Sequence, residues 1–436
     1  MDAEKTPGYV ANHVEEQSTS SNEEITWTEA EETAIRHKLD WQIVPIVTLM
    51  YLLCFLDRAN IGNARIQGMA KDLHLVGYRF NIASSVFYVV YLLVEVPSNI
   101  ILKRVGPRFY LPALVVGFGF VSMCTAWVKD FEQLCVARAF LGVFEGGVHT
   151  WRNIFFFEGL ITIFVGFVAP FIMPSSPSTS ARLTEREKWI AAERLRLEHR
   201  ADPNENVNIQ HIKKAVFNIN NYVCAGGFFC INITVQGLSI FMPTVLNDLG
   251  WTATKAQLYT VPVYVSASVV AILVGFLSDK TRMRGIWLAG FTFLGIAGFS
   301  ILRWNTDENI RYMAVYFCAV GAFPGGPGFL SWGLNNSAGP AVRAVSSGWI
   351  VTLGTIGGIV ATWSYLVKDA PKYPIGHSIN LSAQVVVLAL ASFGIVYCKW
   401  ENRVRARGGR DHRLQGLSEQ EKLDLGHHHP DFRYMA

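Results

Sequence analysis

"RAFLGVFEGGVHTWRNIFFFEGLITIFVG", residues 138–166, joins two apolar stretches through a connection too short for both to cross a bilayer completely. Residues 134–148 and 154–173 each have the composition of a helix in hydrocarbon, and only "HTWRN" separates them. How the chain passes this point decides how many times it spans a membrane, and in which direction.

The chain has 436 residues, of which 51% are hydrophobic and 17% charged. That balance departs from a soluble domain toward a membrane protein. Apolar runs lie at 43–55, 82–102, 110–128, 154–173, 222–245, 259–277, 286–302, 312–334, 346–367 and 381–397. Each approaches the roughly 20 residues that a helix needs to cross a core about 30 Å thick. The expectation is an all-α membrane protein, and soluble folds are excluded. Seven cysteines are scattered through the apolar runs without CxxC spacing, which argues for buried thiols and against a metal centre or a disulfide framework. The first 40 residues lack the apolar core of a cleavable signal, so the first span is expected to act as its own insertion signal.

Lys and Arg gather in alternate connections: Lys103, Arg104 and Arg108; 182–214; Lys280, Arg282 and Arg284; and Lys399 to Arg407. The positive-inside rule makes these loops cytoplasmic and places both termini there. The domains expected are a tail with a surface helix (1–40), a truncated N-terminal bundle (41–174), a linker with an amphipathic helix (175–216), a six-helix C-terminal bundle (217–400) and a tail (401–436). Thr28 with Glu31, and Thr184 with Glu187, have capping-box spacing, and predict two surface helices. Residues 1–22 and 408–436 read as disordered or loosely attached, with His427 to His429 a solvated tract or a weak metal site.

Ionisable groups inside a span cost at least about 2.5–3.5 kcal/mol on insertion scales and mark functional positions. Asp57 and Arg58 lie near the end of the first span, either facing a cavity or forming a charge pair at the interface. Arg138 and Glu145 share one helical face, as an anion clamp with a protonatable acid or as a structural ion pair. Glu95, with Tyr91 one turn before it, is a second candidate proton site or a partner for a neighbouring backbone group. Asn232, Gln236, Trp332, Asn335 and Asn336 can bond a ligand or another helix. Nothing suggests a cofactor, a metal, a nucleic acid or an enzymatic nucleophile; the glycine-rich stretches lack a phosphate-binding pattern.

"GFLSDKTRMRG" (275–285) resembles the loop signature of the major facilitator superfamily, with Gly275, Asp279, Lys280 and Arg284 at its marked positions. "CFLDRANIGNA", "VEVPSNIILKRVGPR", "ARAFLGVFEGG" and "KDAPKYPIGHSINL" resemble the anion:cation symporter family, in particular its fungal allantoate and nicotinate permeases. The resemblance runs from about Lys38 to Arg403. It implies two bundles related by a repeat, with the substrate near the midplane between them. It further implies proton-coupled uptake of a small organic anion by a monomer at the plasma membrane. Asp57 and Glu145 would be protonation sites, Arg58 and Arg138 anion-binding residues, Tyr91 a cavity residue, and the 275–285 loop a conformational latch.

Against that resemblance the opening stretch is short by two spans, leaving about 10–11 of 12. Residues 134–148 and 154–173 should both run inward, and five residues cannot return across 30 Å at about 3.6 Å each. Three solutions remain: a partial or re-entrant fourth helix, an inverted downstream half, or a chain shortened by exon skipping or a faulty gene model. The last is the preferred reading. The runner-up to a carrier is a non-transporting truncated isoform or a membrane nutrient sensor.

Overall fold

A computed structural model describes the chain except for residues 1–26, 142–150, 175–179, 181, 200–208 and 417–424; Glu145 and the expected N-terminal tail therefore lie outside the described residues, as do the side chains of Asp57 and Arg138. The described residues form helices, turns and loops, with no strand. Eight helical segments among them are long and apolar enough to cross a membrane.

Helix α1 (Glu29–Ala64) opens with the expected capping box at Thr28 and Glu31. Its 36 residues make about 54 Å of helix, far more than a hydrocarbon core. The surplus is its first part, so the surface segment and the first span are one continuous rod instead of two helices meeting at an angle. That projecting part is covered by α6 (Glu185–His199). Trp27 meets Trp189 edge-on, Ile35 packs with Leu183 and Ile190, and Arg186 bonds Glu31 at 3.0 Å. Lys38 pairs with Glu187 at 2.5 Å. Hydrogen bonds from Lys38 and from the Thr184 backbone hold the Glu187 carboxyl below its ordinary range. These ion pairs are exposed and contribute little energy; the apolar contacts fix the docking.

The N-terminal half continues with α2 (Arg79–Val105), α3 (Pro107–Cys124), α4 (Phe131–Leu141) and α5 (Trp151–Ile172). α3 and α5 run antiparallel in backbone contact. A Cβ added to Gly159 would lie 2.6 Å from the Gly119 carbonyl oxygen, so any side chain there would force the helices apart. The opposite face of α5 exposes Phe164, Phe167 and Phe171, an apolar surface of the kind that faces lipid.

The described part of α4 ends at Leu141, where the undescribed residues 142–150 begin. α4 and α5 both begin at the end of the bundle where α3 finishes, as Gly159 against Ser122 and Met123 shows for α5. Leu134 of α4 is buried in a cluster with Ile61, Tyr88 and Val128.

After α7 (Ile209–Val216), the C-terminal half contains α8 (Ile219–Asn247), α9 (Ala253–Thr281), α10 (Arg284–Trp304), α11 (Glu308–Ala322) with its continuation α12 (Gly325–Asn335), α13 (Pro340–Thr362) and α14 (Pro374–Ala406). Counting α11 and α12 as one crossing, that makes six. α8 is the axis, buried on nearly every side.

The C-terminal segment departs from expectation. Residues 425–436 are neither solvated nor loose; they fold back onto the ends of α12 and α14. The Asn402 amide bonds both the N–H and the carbonyl of Tyr434 at 2.8 Å, and Asn336 does the same for Met435 at 2.7 and 3.0 Å. Arg405, buried and paired with Glu401, donates to the carbonyls of His427, His429 and Phe432. His427 is 1% exposed. The physical reason is long-range: side-chain amides supply the backbone partners that a polar tail otherwise finds in water.

Candidate functional site

The two halves meet along α1 and α2 on one side and α8, α9 and α13 on the other. Near one end the contact is tight: Gly62 of α1 faces the Ile240 carbonyl with no room for a side chain. Asn81 donates to the Thr362 carbonyl at 2.5 Å, Trp363 to Ser85 Oγ at 2.9 Å, and Gln67 to Gln257 Oε1 at 3.0 Å. The Arg65 guanidinium lies over Phe80 and Phe241. Among the described residues, every hydrogen bond between the halves falls between this end and Glu95, and none toward the basic loops.

At the inner limit of the closed zone sits Arg58. Its guanidinium lies 5.4 Å from the ring centre of Phe87 and 5.3 Å from that of Tyr91. Those rings stand one turn apart on α2, so they flank one side chain. Arg58 Nε is buried and has no hydrogen-bond partner among the described residues. Cation–π contact offsets part of the cost of a charge there, but it leaves a donor unused. Ser84 Oγ is likewise unpartnered and lines, with Arg58, Phe87 and Tyr88, a cavity with room for about one water. Tyr88 Oη donates to Gln236 Oε1 at 2.9 Å, tying α2 to α8. One turn beyond Tyr91, Glu95 Oε2 accepts from Thr352 of α13 at 3.5 Å. Asn232 stands one turn before Gln236 on α8, its Cβ beside Gly357 of α13.

The structure thus gathers Arg58, Tyr91, Glu95 and Gln236 into one neighbourhood at the seam, with Asn232 along its wall. It places three other expected residues elsewhere. Trp332 is fully buried and donates to the Met435 carbonyl at 2.8 Å. Asn336 holds the same residue, and Asn335, with its amide oxygen toward the loop, accepts from Arg284 Nε at 2.7 Å. All three serve the C-terminal segment and the 275–285 loop rather than a cavity. In that loop Asp279 pairs with Arg284, while Gly275 has open space beside it and Lys280 is exposed. Asp279 is therefore satisfied within its own loop in this conformation, without reaching across the halves.

Two participants were missed. Tyr88 carries no charge to mark it within an apolar run. Glu158 does: it interrupts "NIFFFEGLITIF" as Glu95 interrupts its own span, and the same criterion would have found it. It is buried, and Oε2 accepts from Asn60 Nδ2 of α1 at 2.5 Å.

A sequence profile described as Major Facilitator Superfamily matches residues 47–150 and 148–362, two pieces that meet at the opening stretch. The high-affinity nicotinic acid transporter of Saccharomyces cerevisiae is 28% identical over 456 aligned residues, covering 93% of this chain and 85% of that protein. An uncharacterized transporter of Schizosaccharomyces pombe is 29% identical over 459, covering 93% and 95%. The latter alignment is longer than the residues this chain contributes to it by on the order of 50 positions, about the length of two spans and a short connection. Among solved structures, a bacterial homolog of the human lysosomal transporter Spinster, inward-facing and occupied, superposes with a TM-score of 0.58 at 12% identity, covering 82% of this chain and 96% of its own. A D-xylose–proton symporter gives 0.51 at 14%, covering 80% and 97%. Profile, relatives and fold agree: this multi-pass membrane chain belongs to the Major Facilitator Superfamily and is a transporter by family, not an enzyme.

Proposed function

We propose that this protein is a proton-coupled symporter of a small organic anion, working by alternating access, and that the structure is its inward-facing state. The observation that carries the reading is Arg58: a guanidinium at the seam between the halves, flanked by two aromatic rings, with a buried N–H that no described residue accepts. A planar carboxylate attached to a flat ring suits that setting, because the fork takes the oxygens and Phe87 and Tyr91 take the ring. Glu95, one turn from Tyr91 and bonded to the Thr352 hydroxyl across the seam, is the acid in this neighbourhood that can exchange a proton as the halves part. Asp57, Glu145 and Arg138 remain assigned to coupling and anion binding by resemblance. The nicotinate relative handles a substrate of this class, which supports nicotinate, allantoate or a related carboxylate here. The basic loops put the open end in the cytoplasm, and uptake of a nutrient anion places a monomer in the plasma membrane.

The test is uptake of labelled nicotinate and allantoate into proteoliposomes under an acid-outside gradient. Saturable, gradient-dependent uptake is expected in the wild type, and its loss in Arg58→Ala. Uptake that ignores the gradient, or survives Arg58→Ala, contradicts the reading. A second reading, a non-transporting isoform, rests on the five residues that separate the apolar stretches 134–148 and 154–173 in the sequence. Flux restored by inserting the two missing spans, and absent without them, would establish that alternative.

A further inference from the structure

α10 and α14 are not helices of the seam, and beside them the C-terminal half carries a groove of about 670 Å³, cut between α8 and α14 and bounded by Arg303 of α10. The α14 wall is Ile375, Ile379, Ala383 and Val386, which recur every three or four residues and so share one face. On α8 the floor is Cys230 and Ile233, both buried, whereas Ile375 and Val386 are exposed at the rim. From Ile375 to Val386 the wall is about 16 Å long, half of a core about 30 Å thick and therefore one leaflet deep. α14 finishes at the basic stretch from Lys399 to Arg407, so the groove, at its other end, belongs to the leaflet away from the cytoplasm. At the mouth, Arg303 stands in the last turn of α10. Its Nε donates to Ser378 Oγ at 3.1 Å, and Ser378 donates in turn to the Pro374 carbonyl at 2.8 Å. No carboxylate pairs with Arg303 among the described residues; the acid nearest in sequence, Asp307, caps α11 through Oδ1. The two ends of the guanidinium fork therefore have no hydrogen-bond partner among the described residues. Next to Arg303, Trp304 is exposed, as aromatic rings at headgroup level are.

We propose that this groove binds one phospholipid of the non-cytoplasmic leaflet, with the phosphate on the Arg303 fork and one acyl chain lying along Ile379, Ala383 and Val386 toward Cys230. Three features select that occupant. A planar fork with both ends free matches two phosphate oxygens. The trough below it is apolar and as deep as one leaflet, which a small soluble anion would leave unfilled. It also continues the lipid-facing side of α14, since Phe393, two turns beyond Val386 on the same face, is exposed as well. The site stands apart from Arg58 and does not depend on the substrate assigned there.

The experiment uses the full chain, purified in detergent and freed of lipid. Native mass spectrometry counts bound molecules, and thermal unfolding reads their effect. The probes are dioleoylphosphatidylcholine, dioleoylglycerol, which has the same chains without the phosphate, and inorganic phosphate. Wild type should form a 1:1 complex with phosphatidylcholine and show a saturable rise in Tm. Dioleoylglycerol should bind at least about tenfold more weakly, as should phosphatidylcholine to Arg303→Gln, because the charge-assisted bonds are lost. Inorganic phosphate alone should leave Tm unchanged. Ser382→Phe fills the groove from an exposed position one turn beyond Ser378, keeps the guanidinium, and should abolish the 1:1 complex; it also carries the test if Arg303→Gln does not fold. Equal binding of phosphatidylcholine by wild type and Ser382→Phe, or by wild type and a folded Arg303→Gln, overturns the proposal, since it assigns the lipid to the general annulus. Dioleoylglycerol binding as tightly as phosphatidylcholine, or the full rise in Tm with inorganic phosphate alone, overturns it equally.

Discussion

Arg58 shows how much a single position can say. In "CFLDRANIG" it was marked by the expense of a charge within an apolar run, and the structure sets it beside Tyr91 and near Glu95, both chosen on the same ground. Replacing it by Lys keeps the charge but loses the planar fork; carboxylate affinity should fall by about 1.5–3 kcal/mol, roughly 10- to 150-fold, when the charge-assisted bonds are lost altogether in Arg58→Ala, with Arg58→Lys between. Competition binding on purified protein measures this. The same rule failed for Asn336 and Trp332. Their polarity was legible, but the partner that claims it, the Met435 backbone, lies about a hundred residues away in a segment whose composition reads as solvated. Local pattern identifies a group that needs a partner; it does not identify the partner.

Helices were legible wherever an apolar run was long; the end of α4, expected at 148, lies outside the described residues. The pairing of α3 with α5 was hidden, since it depends on two glycines far apart in sequence. Gly159→Ala places a methyl carbon 2.6 Å from the Gly119 carbonyl oxygen; it should destabilise the half by about 1–3 kcal/mol, read as a lower melting temperature in detergent, whereas an unchanged melting temperature would mean the helices part freely. The docked C-terminal segment carries a pH dependence. Burial, then the nearby His428, Arg405, Lys214 and Arg413, push the His427 imidazole down to about 3. A depressed histidine opposes docking only when it must be charged, so docking is fully stable above about pH 6.5 and weakens as pH falls from there toward 3, by about 1.4 kcal/mol per unit. Hydrogen exchange at the Tyr434 amide should therefore accelerate between pH 6.5 and 5 in the wild type and stay level in His427→Gln. Equal acceleration in both would assign the effect to another group.

At the scale of the molecule, two bundles bond to each other across a seam, from Gln67 and Asn81 to Glu95. The six-span second half was legible from its apolar runs and basic loops; the state of the seam was not, because it resides in cross-half pairs such as Asn81 with Thr362 and Tyr88 with Gln236 that no single segment reveals. Arg58, Tyr91 and Gln236 lie on α1, α2 and α8, away from the opening stretch, so anion binding by them should survive even where the transport cycle is impaired. Calorimetric titration of the purified chain with nicotinate, in two buffers of different ionisation enthalpy, tests this most directly. Saturable binding accompanied by proton uptake is expected, weakened at least about tenfold in Arg58→Ala; binding of equal strength in that variant, or binding with no proton taken up at any pH, would contradict an anion clamp at Arg58 coupled to a proton.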